Sequence, residues 1–135
     1  MFPILYFFSD WAILVLRLVF GFLMAAHGLP KLKNLKGTAE WMESEGFRPG
    51  RLWATAVAVL EFFGGIAIFF GFFTQPVAVI FVLQFAVIVL WKIGKSEKLV
   101  GSLELDLLVL SISLLLATIA TDAPALDSFF YGAGY

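Results

Sequence analysis

The sequence predicts an all-α integral membrane protein: an antiparallel four-helix bundle with a short interfacial helix in its first loop. Of its 135 residues, 61% are apolar and only 14% are charged, whereas an ordinary soluble domain has about 25% charged residues. A chain of this length buries only about two-thirds of its surface on folding, so a water-soluble fold cannot hide so many apolar side chains. Separate apolar stretches instead approach the roughly 20 residues that a membrane-spanning helix needs. We therefore expect one membrane domain over residues 1–135, inserted in the cell membrane.

Each predicted span is a nearly unbroken apolar stretch, and together the spans cover residues 11–29, 52–73, 76–93 and 103–121. Pro30 follows the first span, and residues 74–76 predict a tight turn that makes the second and third spans an antiparallel hairpin. Asp122 and Pro124 end the fourth span. The apolar N-terminal stretch lacks the basic residues of a signal peptide, so we interpret it as an uncleaved first span.

The first loop contains one further helix, predicted over residues 38–46. Thr38 is a suitable N-cap, and Gly46 can adopt the left-handed conformation that ends helices. Trp41 and Met42 then lie on the membrane surface. Two interpretations stay open: an ordinary connecting loop with a surface helix, or a lid over a cavity in the bundle.

The basic residues predict the orientation in the membrane. Eight of the nine Lys and Arg side chains lie in the first and third loops: Lys31, Lys33, Lys36, Arg48, Arg51, Lys92, Lys95 and Lys98. With four spans these two loops share one side, and the positive-inside rule makes that side cytoplasmic. Both termini should face outward, with the aromatic tail Phe129-Phe130-Tyr131 at the outer interface.

Composition also excludes several classes of function. The sequence pI of about 5.7 argues against nucleic-acid binding. Without Cys there is no disulfide, CxxC redox pair or thiolate metal site, and a single His excludes a haem held by two histidines. We expect no metal site and no covalently bound cofactor.

Polar side chains inside the spans are costly in a bilayer and mark candidate functional sites. On the first helix, Arg17 shares one face with two glycines and Lys31. Glu61 is the deepest acid, and we expect Arg17 to be its partner, with close helix approach at Gly64 and Gly65. Two interpretations of Arg17 and Glu61 stay open: a structural clasp between helices, or a ligand-binding pair.

Together the polar residues of the spans predict a pocket in the bundle, with these candidate ligand-binding residues: Arg17, His27, Lys31, Glu61, Gln84 and Glu104. Such a pocket suits a ligand with a polar head and an apolar body, either a quinone or a lipid. A quinone carbonyl accepts hydrogen bonds from Arg, His or Lys. Structural roles stay open beside this one: Arg17 can brace two helices, and the lone His27 can be a packing residue. Catalytic residues are not assigned.

Acids also suit the N-terminus of a helix, where free N–H groups and the dipole favour negative charge. Glu104 and Asp106 open the fourth span in this way. Because they are two residues apart on a helix, only one of them can easily point inward.

Several of these residues belong to a series of short motifs between about residue 11 and residue 121: Arg17-Leu18, Gly21, His27-Gly28, Lys31-Leu32, Gly46-Phe47-Arg48-Pro49, Glu61-x-x-Gly64-Gly65, Gly71-x-x-Thr74 and Gly101-x-x-Glu104. In order and spacing this series resembles the DoxX family. The resemblance implies a small four-helix prokaryotic membrane protein. It also implies a link to quinone chemistry, because the family includes relatives of a thiosulfate:quinone oxidoreductase subunit and of membrane redox complexes with soluble partners. This chain has no Cys, so any sulfur chemistry resides on a partner.

Three functions are compatible with the sequence. The first is a quinone- or lipid-interacting subunit of a membrane-associated redox complex, with its pocket around Arg17, His27 and Glu61 and soluble redox partners on the cytoplasmic side. The alternative is a non-catalytic scaffold or assembly factor that docks soluble partners through the basic loops. A further alternative is a small proton-coupled transporter, which would need a homodimer because four helices form a thin wall. The sequence leaves the ligand, the electron donor, the oligomeric state and any catalytic role undecided.

Overall fold

The computed structural model describes residues 2–119, and within this range every regular element is a helix. The α-helices follow one another along the chain as α1 (Ser9–Lys33), α2 (Leu35–Ser44), α3 (Gly50–Phe70), α4 (Thr74–Gly94) and α5 (Glu104–Thr118). A 3-10 helix (Pro3–Phe8) leads into α1, and the segment Leu99–Leu103, which is kinked at Val100 and Gly101, leads into α5. With these lead-ins, α1, α3, α4 and α5 are each long and apolar enough to cross a membrane. The prediction of an all-α protein with four membrane spans is confirmed. The predicted end of the fourth span at Asp122 and Pro124 and the aromatic tail lie outside the described residues.

Helix α1 does not stop before Pro30 but continues to Lys33, so the prediction that Pro30 lies beyond the helix is wrong. Proline removes one backbone N–H, and its ring crowds the carbonyl four residues earlier. The turn closes nonetheless, because the N–H of Asn34 donates to Pro30 O at 3.1 Å. Membrane helices tolerate such prolines. Lys31, which the sequence placed in a loop, therefore lies on the last turn of α1.

The connection between α3 and α4 occupies residues 71–73 rather than 74–76. Gly71 and Phe73 both have positive φ angles, 72° and 49°, and a residue in this left-handed region commonly ends a helix. Thr74 and Pro76 consequently belong to the first turn of α4, where the N–H groups lack partners within the helix and proline is tolerated. The second span ends three residues earlier than predicted, and the third begins two residues earlier.

Helix α2 is shifted from the predicted residues 38–46 because Asn34, not Thr38, is its N-cap. The side-chain oxygen of Asn34 accepts a hydrogen bond of 3.1 Å from a backbone N–H in the first turn, which is the usual N-cap interaction. Gly46 terminates the helix as predicted: its φ is 97°, and its N–H donates to Glu43 O at 3.2 Å. The predicted short helix in the first loop is therefore confirmed, with earlier bounds.

The chain divides into two compact units. The α1–α3 unit comprises Leu16–Phe70, and the α4–α5 unit comprises residues 2–15 and 71–119 of the described range. In the first unit, α2 packs against the start of α3. In the second unit, α4 packs against α5, and Gln75 Nε2 donates to Ala117 O at 3.0 Å. A single domain over residues 1–135 stays a prediction.

Large apolar side chains remain exposed along all four long helices. Examples are Phe22 on α1 with 64% exposure, Phe63 on α3 with 57% and Leu90 on α4 with 69%. A soluble monomer rarely exposes apolar surface on this scale. In a bilayer such side chains contact lipid, so the exposed surface agrees with a membrane location.

Candidate functional site

The candidate site lies in the α1–α3 unit, where α1 and α3 approach each other at glycines. A Cβ atom added at Gly21 would lie 2.5 Å from Gly65 O, and one added at Gly28 would meet backbone atoms of Glu61 and Phe62. Backbones this close leave no room for a side chain larger than hydrogen. The predicted close approach at Gly65 is confirmed, and these facing residues define an antiparallel register between the two helices.

Lys31 and Glu61 form an ion pair just beyond the Gly28 contact. Lys31 Nζ donates to Glu61 Oε2 at 2.6 Å, which is a short, charge-assisted hydrogen bond. The exposed fraction is 35% for the Lys31 side chain but only 3% for the Glu61 side chain. A buried carboxylate needs such a partner to offset its lost solvation. The pair therefore attaches the last turn of α1 to the middle of α3.

The register explains why Lys31 reaches Glu61, whereas Arg17, the partner that the sequence suggested, lies far from Glu61 along the helix. Arg17 lies eleven residues before Gly28, which is about 16 Å along a helix that rises 1.5 Å per residue. Helical side chains also lean towards the N-terminus of their own helix. On antiparallel helices in this register, Arg17 and Glu61 lean away from each other, whereas Lys31 and Glu61 lean towards each other.

The other predicted site residues lie in different environments. Arg17 is buried on α1, with 5% exposure, whereas His27 is exposed on the same helix. Gln84 and Glu104 belong to the α4–α5 unit; Gln84 is half-buried, and Glu104 is exposed. The Glu104 carboxylate accepts a hydrogen bond of 3.1 Å from the backbone N–H of Gly101, in the kinked segment before α5, as expected of an acid at a helix start. The ligand-binding role of all six candidates stays a prediction.

A second lysine–carboxylate pair, outside the predicted set, lies in the α4–α5 unit. Lys92 Nζ donates to Asp106 Oδ2 at 2.6 Å and to Ser102 O at 3.2 Å. Of the two acids that open α5, Asp106 is the buried one and Glu104 is exposed. The sequence carried no clear signal for Asp106, because α5 is apolar on nearly all sides. In the structure Asp106 lies one helical turn before Val109, which is also buried.

The Lys31–Glu61 pair fits a ligand that accepts hydrogen bonds. An ammonium group has three N–H donors, and Lys31 uses one of them on Glu61. The other two have no acceptor among residues 2–119, and about a third of the side chain is exposed. A quinone carbonyl can accept a hydrogen bond from such a donor. Over the same residues, no group of three or more His, Cys, Asp or Glu side chains is placed to hold a metal ion.

The exposed cations of the α1–α3 unit are also without acceptors. The side chains of Lys33, Lys36, Arg48 and Arg51 are exposed, and none of them makes a hydrogen bond or ion pair within the described part of the chain. Free cations of this kind are available to anionic lipids or to acidic proteins. The cytoplasmic orientation of these residues stays a prediction.

Four long apolar helices, with ionic pairs between neighbouring helices, define a multi-pass, all-helical membrane protein. Comparison with known proteins makes this assignment more specific. The chain belongs to the DoxX family, whose sequence profile matches residues 12–93. The resemblance indicated by the sequence motifs is therefore confirmed.

The similar proteins are bacterial. The chain is 32% identical over 118 residues to "Putative oxidoreductase CatD" of Bacillus subtilis (strain 168), and this alignment covers 87% of the chain and 86% of CatD. It is 34% identical over 80 residues to inner membrane protein YphA of Escherichia coli (strain K12), and this alignment covers 59% of the chain and 52% of YphA. It is 39% identical over 70 residues to inner membrane protein YqjF of the same strain, and this alignment covers 52% of the chain and 52% of YqjF. No solved structure matches it significantly.

Proposed function

We propose that this DoxX-family protein is a quinone-binding subunit of a membrane-associated redox complex, with the quinone headgroup bound at the Lys31–Glu61 pair. The observation that carries the proposal is the Lys31 ammonium, which is partly exposed, held by a buried carboxylate and left with two N–H groups for a ligand. The similarity to CatD supports the redox part of the proposal, because the name of that protein includes "oxidoreductase" and the alignment covers most of both chains.

Each residue of the pair has a distinct role in this proposal. Lys31 donates a hydrogen bond to a carbonyl oxygen of the quinone, and Glu61 holds the ammonium in position from the buried side. The exposed apolar side chains of the helices accommodate the apolar tail. The quinone is the electron acceptor. Its reduction to a quinol takes two electrons from a reduced cofactor on a soluble partner and two protons from water. The chain has no Cys, so it has no thiol to carry those electrons.

A quinone titration tests the proposal directly. Purified protein in lipid nanodiscs is titrated with decylubiquinone while tryptophan fluorescence is recorded. A hydrogen bond to a charged group contributes about 1.5–3 kcal/mol, and about 1.4 kcal/mol is a tenfold change in Kd. We therefore expect Lys31→Met to raise the Kd about 10- to 100-fold, and Glu61→Gln to raise it as well. The matched control is Lys92→Met, which removes the lysine of the other pair and should leave the Kd unchanged.

The same experiment can reject the proposal. If the wild-type protein shows no saturable quenching, and native mass spectrometry detects no retained quinone, the protein is not a quinone-binding subunit. Equal effects of Lys31→Met and Lys92→Met would place the binding elsewhere. Arg17→Ala is an additional test of the predicted pocket: a raised Kd supports a pocket that extends to Arg17, and an unchanged Kd limits the site to the Lys31–Glu61 pair.

A second candidate function is a scaffold that docks soluble proteins, and the exposed cations of the α1–α3 unit favour it. Acidic side chains are exposed on α2 as well, at Glu40 and Glu43, so the surface is mixed rather than purely basic. Cross-linking in membranes followed by pull-down should recover one reproducible soluble partner. Lys36→Glu combined with Arg51→Glu should abolish its recovery, whereas Glu61→Gln should not. Failure to recover any reproducible partner argues against the scaffold.

A further inference from the structure

We infer that the Lys31–Glu61 pair is a latch that holds the last turn of α1 against α3, with Pro30 as its hinge. The latch also determines how firmly the connection from α1 to α2 is ordered. It operates without a ligand. Its regulation by a bound quinone, which would tighten the latch, rests on the proposed function.

The hinge is a consequence of proline chemistry. Pro30 lies inside α1, and it has no N–H to donate to the carbonyl of Ala26, four residues earlier. Its ring also crowds that carbonyl, and prolines are common points of helix bending. The turn after Pro30 is therefore tied to the rest of α1 less firmly than an ordinary helical turn.

The latch lies on the C-terminal side of this hinge, in the last turn of α1. Before Pro30, α1 is held to α3 by backbone contacts at Gly21 and Gly28. After Pro30, the hydrogen bond from Lys31 Nζ to Glu61 Oε2 at 2.6 Å joins the last turn to α3. Lys33, at the end of this turn, is exposed and makes no ion pair among the described residues. Loss of the Lys31–Glu61 pair thus frees the turn while the glycine contacts keep the rest of α1 in place.

The last turn of α1 is also bonded to the start of α2 through Asn34. Asn34 N donates to Pro30 O at 3.1 Å, and Asn34 O accepts from Thr38 N at 3.1 Å. The Asn34 side chain caps the first turn of α2 by accepting from Gly37 N. Loss of the Lys31–Glu61 pair therefore disturbs the N-cap of α2, whereas an intact pair keeps that N-cap ordered.

The absence of Cys in this chain allows a direct measurement with spin labels at introduced cysteines. The test pair is Lys33→Cys with Thr55→Cys, both exposed, on the last turn of α1 and on α3. The control pair is Phe22→Cys with Phe63→Cys, both exposed, on the part of α1 and α3 that the glycines hold together. Pulsed electron–electron double resonance in nanodiscs measures the distribution of distances between the two labels of each pair, and the width of that distribution is compared between variants.

The latch predicts a specific pattern in the widths of the distance distributions. Glu61→Gln and Lys31→Met should each broaden the test-pair distribution about twofold, as expected for local opening of one segment, without broadening the control pair. Lys31→Arg should keep the narrow distribution, because arginine can still donate to the carboxylate. Pro30→Ala should suppress the broadening caused by Glu61→Gln, since it restores the missing backbone hydrogen bond. Asp106→Asn, in the other unit, should change neither pair.

Three results would overturn the latch: unchanged test-pair widths in both Glu61→Gln and Lys31→Met; equal broadening of test and control pairs; or undiminished broadening when Pro30→Ala is added. A second arm adds decylubiquinone to the wild-type protein, and a narrower test-pair distribution supports regulation by the ligand. If the titration detects binding but the width does not change, regulation is rejected. If the titration detects no binding, the proposed function and its regulation fail, and the ligand-free widths still decide the latch.

Discussion

Packing between α1 and α3 depends on Gly21, so Gly21→Ala should destabilise the protein even though alanine is the better helix former. The added Cβ would lie 2.5 Å from Gly65 O and from Phe69 N, and 2.8 Å from Phe69 Cα. All three are backbone atoms, so no side-chain rotation can relieve the contact. Since ordinary contacts begin at 3.4 Å, the helices must separate by nearly 1 Å. A gap of about this size loses much of the dispersion energy between the packed surfaces.

The magnitude follows from two opposing effects. Overpacking a well-packed interface costs about 1–3 kcal/mol, and replacing glycine by alanine in a helix gains at most about 1 kcal/mol. We expect a net loss of about 1–2 kcal/mol, which for a chain of this size lowers the Tm by about 5 °C. Thermal unfolding followed by circular dichroism, at a fixed ratio of detergent to protein, measures the shift.

Gly94→Ala is the matched control, because a Cβ at Gly94 on α4 would meet no atom of the described residues within 4 Å, apart from its own helix and chain neighbours. This change gains helix propensity without a clash, so its Tm should equal or exceed that of the wild-type protein. Gly65→Ala approaches the same α1–α3 contact from the other helix and should lower the Tm as Gly21→Ala does. If Gly21→Ala unfolds at the same temperature as Gly94→Ala, the close backbone contact between α1 and α3 is refuted.

Three local features give further predictions. Asp106→Asn should lower the free energy of unfolding by about 2 kcal/mol, less than for a fully buried pair. Glu104→Gln, at the exposed position, should lower it by under about 0.5 kcal/mol. Equal losses in SDS denaturation would contradict the burial of Asp106. Ser96, two residues after the end of α4, has a φ of 57°. Ser96→Gly should raise stability by about 1 kcal/mol by relieving the left-handed strain, so a lower unfolding midpoint counts against this account. Asn34→Ala should weaken the N-terminus of α2 by about 1 kcal/mol, seen as faster amide exchange in its first turn; unchanged exchange there would refute the cap.

The spans could be predicted because they follow from composition and length alone, whereas their boundaries depended on structural context. Long apolar stretches gave four helices with bounds correct to within a few residues. Pro30 was predicted to end the helix because proline disrupts most helix interiors, whereas membrane helices tolerate it. In the structure the helix continues for one more turn to Lys33, and that turn carries Lys31, which pairs with Glu61.

The residues of the candidate site could be predicted from the sequence, but their pairing could not. Lys31 and Glu61 were both predicted as candidate ligand-binding residues, but their pairing depends on the register between α1 and α3, which no single-helix pattern contains. The inward position of Asp106 depends on the rotation of α5. That helix is apolar on nearly all sides, so its sequence carries little information about which face is buried. Packing against α4 decides the rotation, and it selects Asp106 over Glu104.

Photo-crosslinking with a quinone tests the central claim most directly, that Lys31 and Glu61 form the ligand site. Membranes that contain the protein are irradiated with a photoreactive quinone analogue, and the labelled peptides are mapped by mass spectrometry. The expected result is labelling on the last turn of α1 and on α3 around Glu61, lost in Lys31→Met and retained in Lys92→Met. Labelling confined to the α4–α5 unit, or labelling that Lys31→Met leaves unchanged, would contradict the claim.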